Sequence, residues 1–251
     1  FGTPTYCYSY NQLKINILKF QNNFKKINPL ICFAVKANNN TTILREIAKL
    51  GLGADVVSKG ELMAALKSKI DPKKIVFSGV GKTYREIEFA AKKKVLLINA
   101  ESKSEIEIIL KIARKMNRKI DIGIRLNPNV DAKTIKEITT GKTSNKFGLT
   151  EKEIIGLINH YKKSKYLNIK CLSVHIGSQI TSHIPYFKML KAIQKIIDKA
   201  KFDFKYIDLG GGMGINYGEN KQKLNYRKYS NQINKFVKKN KVKIIFEPGR
   251  S

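Results

Sequence analysis

The 251-residue chain has no run of about 18 apolar residues, so a membrane-crossing helix is not expected. Its first residues, Phe1-Gly2-Thr3-Pro4, lack the basic stretch and apolar core of a secretory leader. They also lack an initiator methionine, so the natural start is expected to lie upstream. Cysteine is scarce: Cys7, Cys32 and Cys171 are odd in number, scattered and without metal-ligand spacing. Each lies in an apolar run, which suits small buried hydrophobes in a reducing, cytoplasmic compartment and argues against a disulfide frame or a metal site. Acidic residues are few as well, 19 Asp and Glu against 49 Lys and Arg, for a net charge of +30.

A positive balance of that size raises nucleic acid or an anionic membrane as partners. The lysines, however, are spread over one polar helix face after another: Lys111 and Lys115, then Lys191, Lys195 and Lys199, then Lys235, Lys238 and Lys239. The longest run is Lys92-Lys93-Lys94, and no basic stripe is interleaved with aromatic rings that could stack bases. The charge reads as solvated surface, so neither specific nucleic acid nor a membrane is expected as a partner.

Eight short apolar, β-branched runs recur: Leu30–Val35, Ala54–Val57, Ile75–Phe77, Val95–Ile98, Ile120–Leu126, Cys171–Ile176, Tyr206–Leu209 and Lys243–Phe246. Most are apolar throughout, as expected of parallel strands covered on both faces. Helical spacing fills the gaps, as in Ile106, Ile109, Leu110 and Ala113, or Ile193, Ile196, Ile197 and Ala200. Ser104 with Glu107, and Thr150 with Glu153, have the spacing of capping boxes. Strands alternating with helices predict a (β/α)8 barrel over 1–251, with an open doubly wound sheet as the alternative. One extra helix, Asn11 to Phe24, precedes the first strand, and only Pro248 to Ser251 follow the last. With no eighth covering helix, Ile244, Ile245 and Phe246 are expected to be partly uncovered. The longest connection, Asn127 to Thr150, has the character of a lid.

Barrels gather reactive groups where their strands end. The first run ends in Lys36, and the second carries Asp55 and ends in Ser58. The third ends in Ser78-Gly79, the fifth carries Arg125, and the sixth carries His175. The seventh runs into Gly210-Gly211-Gly212-Met213-Gly214 and the eighth into Glu247-Pro248-Gly249-Arg250. Lys36 either leaves for solvent or sits in a desolvated mouth, where a lowered pKa would expose the neutral amine that condenses with carbonyls. The glycine loop is either a tight turn or a phosphate cradle, and its place after strand seven favours a barrel ligand's phosphate over a dinucleotide. Glu247 is either half of a structural ion pair or the partner of a protonated pyridine nitrogen. Arg250 could pair with a phosphate or a substrate carboxylate. His175 is either a satisfied core residue or a ring stacked on a planar cofactor, with Ser178 reaching a phosphate oxygen. His160 and His183 have no such setting.

These positions resemble the barrel-type (fold type III, alanine-racemase-like) pyridoxal-phosphate-dependent amino-acid decarboxylases along the whole chain. The resemblance rests on Phe-Gly-Thr-Pro-Thr-Tyr at 1–6, Phe-Ala-Val-Lys-Ala-Asn at 33–38 and Gly-Leu-Gly-Ala-Asp-Val-Val-Ser at 51–58, followed by Gly60-Glu61-Leu62. It continues in Arg-Leu-Asn-Pro-Asn-Val-Asp-Ala at 125–132, Thr-Thr-Gly at 139–141, Asn-Lys-Phe-Gly at 145–148, His-Ile-Gly-Ser-Gln at 175–179, the glycine loop and Glu-Pro-Gly-Arg-Ser at 247–251. The 125–132 and 145–148 segments point to the diaminopimelate branch. The resemblance implies that Lys36 carries pyridoxal phosphate and that His175 stacks on its ring. It gives the phosphate to Ser178, Gly210, Gly211, Gly212 and Arg250, the ring nitrogen to Glu247, the ring hydroxyl side to Arg125 and the neighbourhood of the lysine to Asp55. Arg250 also touches a substrate carboxylate. The implied activity is decarboxylation of meso-diaminopimelate to L-lysine. The implied assembly is a homodimer whose C-terminal β-domain, absent here, completes the partner's site with a cysteine and other residues. Decarboxylation of ornithine, arginine or carboxynorspermidine, or a barrel remnant without catalysis, are the alternatives. Two positions depart from the family: Ile135 stands where a histidine is frequent, and Lys59 replaces a common glycine, adding charge near the mouth.

Overall fold

β-Branched and apolar runs too short for helices become eight parallel strands, each hydrogen-bonded to the next in chain order, and the last closes on the first. The computed structural model describes residues 1–132, 147–217 and 224–251. Helix α1 (Tyr10–Asn23) comes first, followed by β1 (Leu30–Ala34), α2 (Thr41–Lys49), β2 (Gly53–Val56), α3 (Lys59–Lys67), β3 (Ile75–Phe77) and α4 (Tyr84–Lys93). Then come β4 (Leu97–Ala100), α5 (Lys103–Lys115), β5 (Ile120–Leu126), α6 (Glu151–Tyr161), β6 (Leu167–Val174), α7 (Ile184–Ala200), β7 (Tyr206–Asp208), α8 (Tyr226–Asn240) and β8 (Lys243–Phe246). Closure pairs Leu30 with Ile245 and Ile31 with Phe246. The architecture is the expected (β/α)8 barrel, and among the described residues no helix is long and apolar enough to cross a membrane.

Three strand bounds match the sequence reading and the others shift for local reasons. β6 begins earlier than expected, because the alternating Leu167-Asn168-Ile169-Lys170 turns its polar side chains to Asp121 on β5: Asn168 at 2.7 Å and Lys170 at 2.6 Å. β4 starts later and runs through Asn99, since Lys94 takes a left-handed turn that ends α4 first. The capping box at Thr150 and Glu153 is present. The one expected at Ser104 and Glu107 is not: α5 is capped by Ser102, whose hydroxyl accepts the Glu105 N–H at 3.2 Å, and Glu107 accepts the Tyr161 hydroxyl instead. Of the expected lid, residues 133–146 lie outside the described residues, and so does Ile135.

The expected bare flank at β8 is not found. Ile244, Ile245 and Phe246 are fully buried. α1 lies beside α8 and takes the covering place between β8 and β1, with the Phe24 and Phe20 rings 4.5 and 5.7 Å from the Phe246 ring. Leu13, Ile17, Phe20 and Phe24, spaced by three or four, form the stripe that does this.

Side chains two apart on a strand share a face, and this step builds the interior in two layers. The lower layer is apolar: Cys32, Val76, Leu97, Cys171, Tyr206 and Ile245. One step towards the strand ends, the same faces carry Ser78, Asn99, Ser173, Asp208 and Glu247. Gly123 leaves room for Asn99, since a Cβ there would lie 1.9 Å from its Oδ1.

Candidate active site

Lys36 leaves β1 in a single 3-10 turn, Val35–Ala37, which swings its amine over the barrel mouth. Its Nζ lies 3.1 Å from Oδ2 of Asp55, which ends β2's inner face and is buried, while the lysine side chain is 54% exposed. The expected lowering of the Lys36 pKa does not occur. The Asp55 charge outweighs desolvation, Glu247 adds to it, and the pKa is raised. The resting amine is therefore an ammonium, and a neutral nucleophile arises only by passing a proton to a neighbour. The second oxygen of Asp55, Oδ1, is buried with no hydrogen-bond partner.

The upper inner layer supplies the floor. Asn99 donates to Ser78 Oγ at 3.2 Å, Ser173 Oγ at 3.3 Å and Asp208 Oδ2 at 3.1 Å. Ser173 donates to the same Asp208 oxygen at 3.1 Å, and Ser78 donates to Glu247 Oε1 at 3.4 Å. Burial first, then the Asp208 and Asp55 charges, push the Glu247 carboxyl well above the usual carboxylate range. The Glu247 carboxyl therefore holds a proton more readily than an ordinary carboxylate.

His175, just past β6, is drawn down to about 3 by desolvation, with Arg125 and Lys36 adding repulsion. It is neutral at physiological pH, and its Nδ1 accepts the Gly211 N–H at 3.3 Å, which leaves the hydrogen on Nε2. The Gly210 N–H donates to Asp208 Oδ1 at 2.9 Å. Two amides expected to face a phosphate are therefore turned to Asp208 and His175. Gly211 is needed for closeness, since a Cβ there would lie 2.1 Å from the Glu247 carbonyl oxygen. At the open side of the loop Arg250 donates to Ser178 Oγ, joining the β6 and β8 ends beside a cleft of about 560 Å3.

Arg125 is held by Glu101 at 2.6 Å, and its guanidinium lies 5.0 Å from the Phe147 ring centroid. Lys59 points away from the mouth, with its ammonium 5.2 Å from the Phe89 ring on α4. The sequence reading missed Lys82. Its side chain is fully buried, and it bonds Glu105 at 2.7 Å and the carbonyls of Asn99, at 2.9 Å, and Gly79. It also missed Asn99, Ser173 and Asp208, whose signal is the apolar-x-polar step in Leu97-Ile98-Asn99, Cys171-Leu172-Ser173 and Tyr206-Ile207-Asp208.

A lysine paired to a carboxylate, a carboxyl group beneath the mouth and an exposed guanidinium with a hydroxyl at its rim suit a flat, phosphorylated, carbonyl-bearing ligand with a basic ring nitrogen. Pyridoxal phosphate has those features. The orphaned Asp55 oxygen is the kind of buried polar atom that a bound polar ligand accounts for. Fold and mouth together define a barrel of the pyridoxal-phosphate class.

The comparisons agree. The family model described as pyridoxal-dependent decarboxylase, pyridoxal binding domain, matches residues 11–251, and the chain belongs to that family. It is 42% identical to the diaminopimelate decarboxylase of Helicobacter pylori strain J99 and 39% identical to that of Aquifex aeolicus, in each case over all of this chain. The crystal structure of the Helicobacter pylori diaminopimelate decarboxylase complexed with L-lysine superposes with a TM-score of 0.95 at 41% identity, covering 100% of this chain and 64% of that one. The chain spans 62% of the Helicobacter relative's length and 60% of the Aquifex one's.

Proposed function

We propose that the protein decarboxylates meso-2,6-diaminopimelate to L-lysine and CO2, with pyridoxal phosphate carried on Lys36. The observation that carries the reading is the Lys36–Asp55 pair set over the same mouth as the Glu247 carboxyl group. Similarity to diaminopimelate decarboxylases at about 40% identity over the whole chain supports the substrate. Pyridoxal phosphate, when bound, supplies the electron sink for the pair released as the α-carboxylate leaves.

The residues of this chain do the rest. Lys36 would hold the cofactor at its carbonyl carbon, the carbonyl oxygen leaving as water, and Asp55 Oδ2, 3.1 Å away, is placed to take the proton that the ammonium must lose. His175, neutral and fixed by Gly211, offers a flat face for the ring without adding a charge. Glu247 would serve the ring nitrogen, and Arg125, steadied by Glu101, would serve the ring hydroxyl side. The phosphate falls to Ser178, Arg250 and the Gly212 end of the glycine loop, and Arg250 also reaches a substrate carboxylate. Gly210 and Gly211 act one step back, through Asp208 and His175. The reading takes residues 1–251 as the pyridoxal-binding domain of a cytoplasmic homodimer whose site is shared at the interface. The +30 charge belongs to its surface, with no specific nucleic-acid partner.

Full-length protein incubated with pyridoxal phosphate, reduced with borohydride and mapped by peptide should carry the label on Lys36. Label on another lysine, with none on Lys36, overturns the assignment. Release of CO2 is expected from meso-diaminopimelate and not from L-ornithine, L-arginine or carboxynorspermidine, and the reverse pattern would move the protein to another branch.

A further inference from the structure

Asp208 ends β7 completely buried, and the mechanism above gives it no direct task. β7 and β8 are paired in register, with Asp208 opposite Ile245. Two residues beyond Ile245, on the same inner face, comes Glu247. Carboxyl groups from adjacent strands thus come within reach of a hydrogen bond. Two ionised carboxylates cannot make one, because both would be acceptors only and would repel. One proton between them turns the contact into a charge-assisted bond.

The donors decide which oxygen carries that proton. Asp208 receives the Gly210 N–H at 2.9 Å on Oδ1, and the Ser173 hydroxyl and Asn99 amide, each at 3.1 Å, on Oδ2. Glu247 receives the Ser78 hydroxyl at 3.4 Å. Three donors hold Asp208 as the anion, which leaves the proton on Glu247. The other titratable groups facing the pair are Asp55 from β2, Lys36 beyond β1, and the buried thiols of Cys32 and Cys171 below. Lys36 is the cation among them, and its nearest partner is Asp55.

We infer that Asp208 is a positioning residue for Glu247: the two carboxyl groups share one proton in the cofactor-free pocket, so Glu247 becomes a full carboxylate only when that proton leaves. The meaning for the ring nitrogen rests on the proposed function, but the shared proton does not. When a ring already bearing N–H+ is received, the Glu247 O–H bond breaks and its proton passes to water. The pair goes from one negative charge to two, and one of them faces the ring. Cofactor affinity below the midpoint of the pair therefore rises with pH, by about tenfold per unit for one proton released.

Infrared spectroscopy of the cofactor-free full-length protein tests this directly. A carboxylic-acid carbonyl band should be present at neutral pH, vanish in Glu247→Gln, and titrate with a midpoint above the ordinary carboxylate range. In Asp208→Asn, an isosteric change, that midpoint should fall by at least about one unit, a tenfold change in the proton equilibrium. The pH dependence of pyridoxal phosphate affinity should move down with it. A role confined to packing would change stability and leave both midpoints in place. No acid band in the wild type at neutral pH, or a midpoint unmoved by Asp208→Asn, overturns the inference. If that variant does not fold, the wild-type band and its loss in Glu247→Gln decide the matter. None of the infrared outcomes depends on CO2 release, so failure of the proposed activity would be seen separately.

Discussion

Replacing Asp55 by Asn keeps the shape of the side chain and removes one charge 3.1 Å from the Lys36 amine. That charge is the largest influence holding the Lys36 pKa above its ordinary value. Burial works against it, Glu247 assists, and Arg125 opposes. At an effective dielectric of about 20, two unit charges so close attract by about 5 kcal/mol. The lysine side chain is 54% exposed, so water screens most of this, and the range of exposed ion pairs applies, up to about 1 kcal/mol. In Asp55→Asn the amine should therefore titrate lower, because burial and Arg125 then oppose the charged form without the Asp55 charge. The assay is an NMR titration of cofactor-free protein with 13C-methylated lysines, with the Lys36 signal identified by its loss in Lys36→Arg. The raised folded-state value also fixes the sign for stability. The contribution of the pair is complete below the unfolded lysine value of about 10.4 and is lost as pH rises through the folded one. The wild type should therefore exceed the variant by a constant margin from neutral pH to about pH 10, and the margin should narrow above that. A Lys36 midpoint that stays put or rises in Asp55→Asn would refute the assignment of Asp55 as the dominant influence.

With pyridoxal phosphate at saturating concentration, Glu247→Gln should lose more than about 100-fold in decarboxylation, about 2.7 kcal/mol, because an amide cannot turn into the carboxylate that holds a ring N–H+. Lys82→Met removes a fully buried cation from Glu105 and two carbonyls, and should cost about 3 to 5 kcal/mol in denaturant unfolding. A loss below about 1 kcal/mol would show that the site relaxes or admits water. Phe24→Ala opens the seam between α1 and β8 and should cost about 3 to 5 kcal/mol, with new binding of a hydrophobic dye as the second readout.

The barrel itself was legible because unbroken apolar runs and 3.6-residue stripes alternate along the whole chain, and Ile75–Phe77, Ile120–Leu126 and Lys243–Phe246 have the expected bounds. Lys36, Asp55, His175, Arg125 and Glu247 could be placed at the mouth from strand ends alone, since in a parallel barrel every strand delivers its end to one face. What could not be read was who pairs with whom. Lys36 was expected to be neutral from burial, yet a carboxylate 19 positions away sets its charge. Glu247 was expected to be an ordinary carboxylate, yet burial and then Asp208 from the neighbouring strand raise its pKa. The cover over β8 was missed for the same reason: nothing local in Phe20 or Phe24 says that they meet Phe246.

That seam between α1 and the last strand has a consequence for the newly made chain. Phe20 and Phe24 emerge from the ribosome well before Phe246, which follows roughly 220 residues later. At about 5 to 20 residues per second, some 10 to 45 s of synthesis separate the two sides of the contact. Throughout that interval α1 carries an apolar stripe with no partner, and β1 lacks the neighbour that closes the ring. Closure is also the most non-local event in the fold, so it comes late and slowly even once the chain is whole. The aromatic stripe of α1 is therefore a place where a chaperone has a long opportunity to bind this protein before it folds.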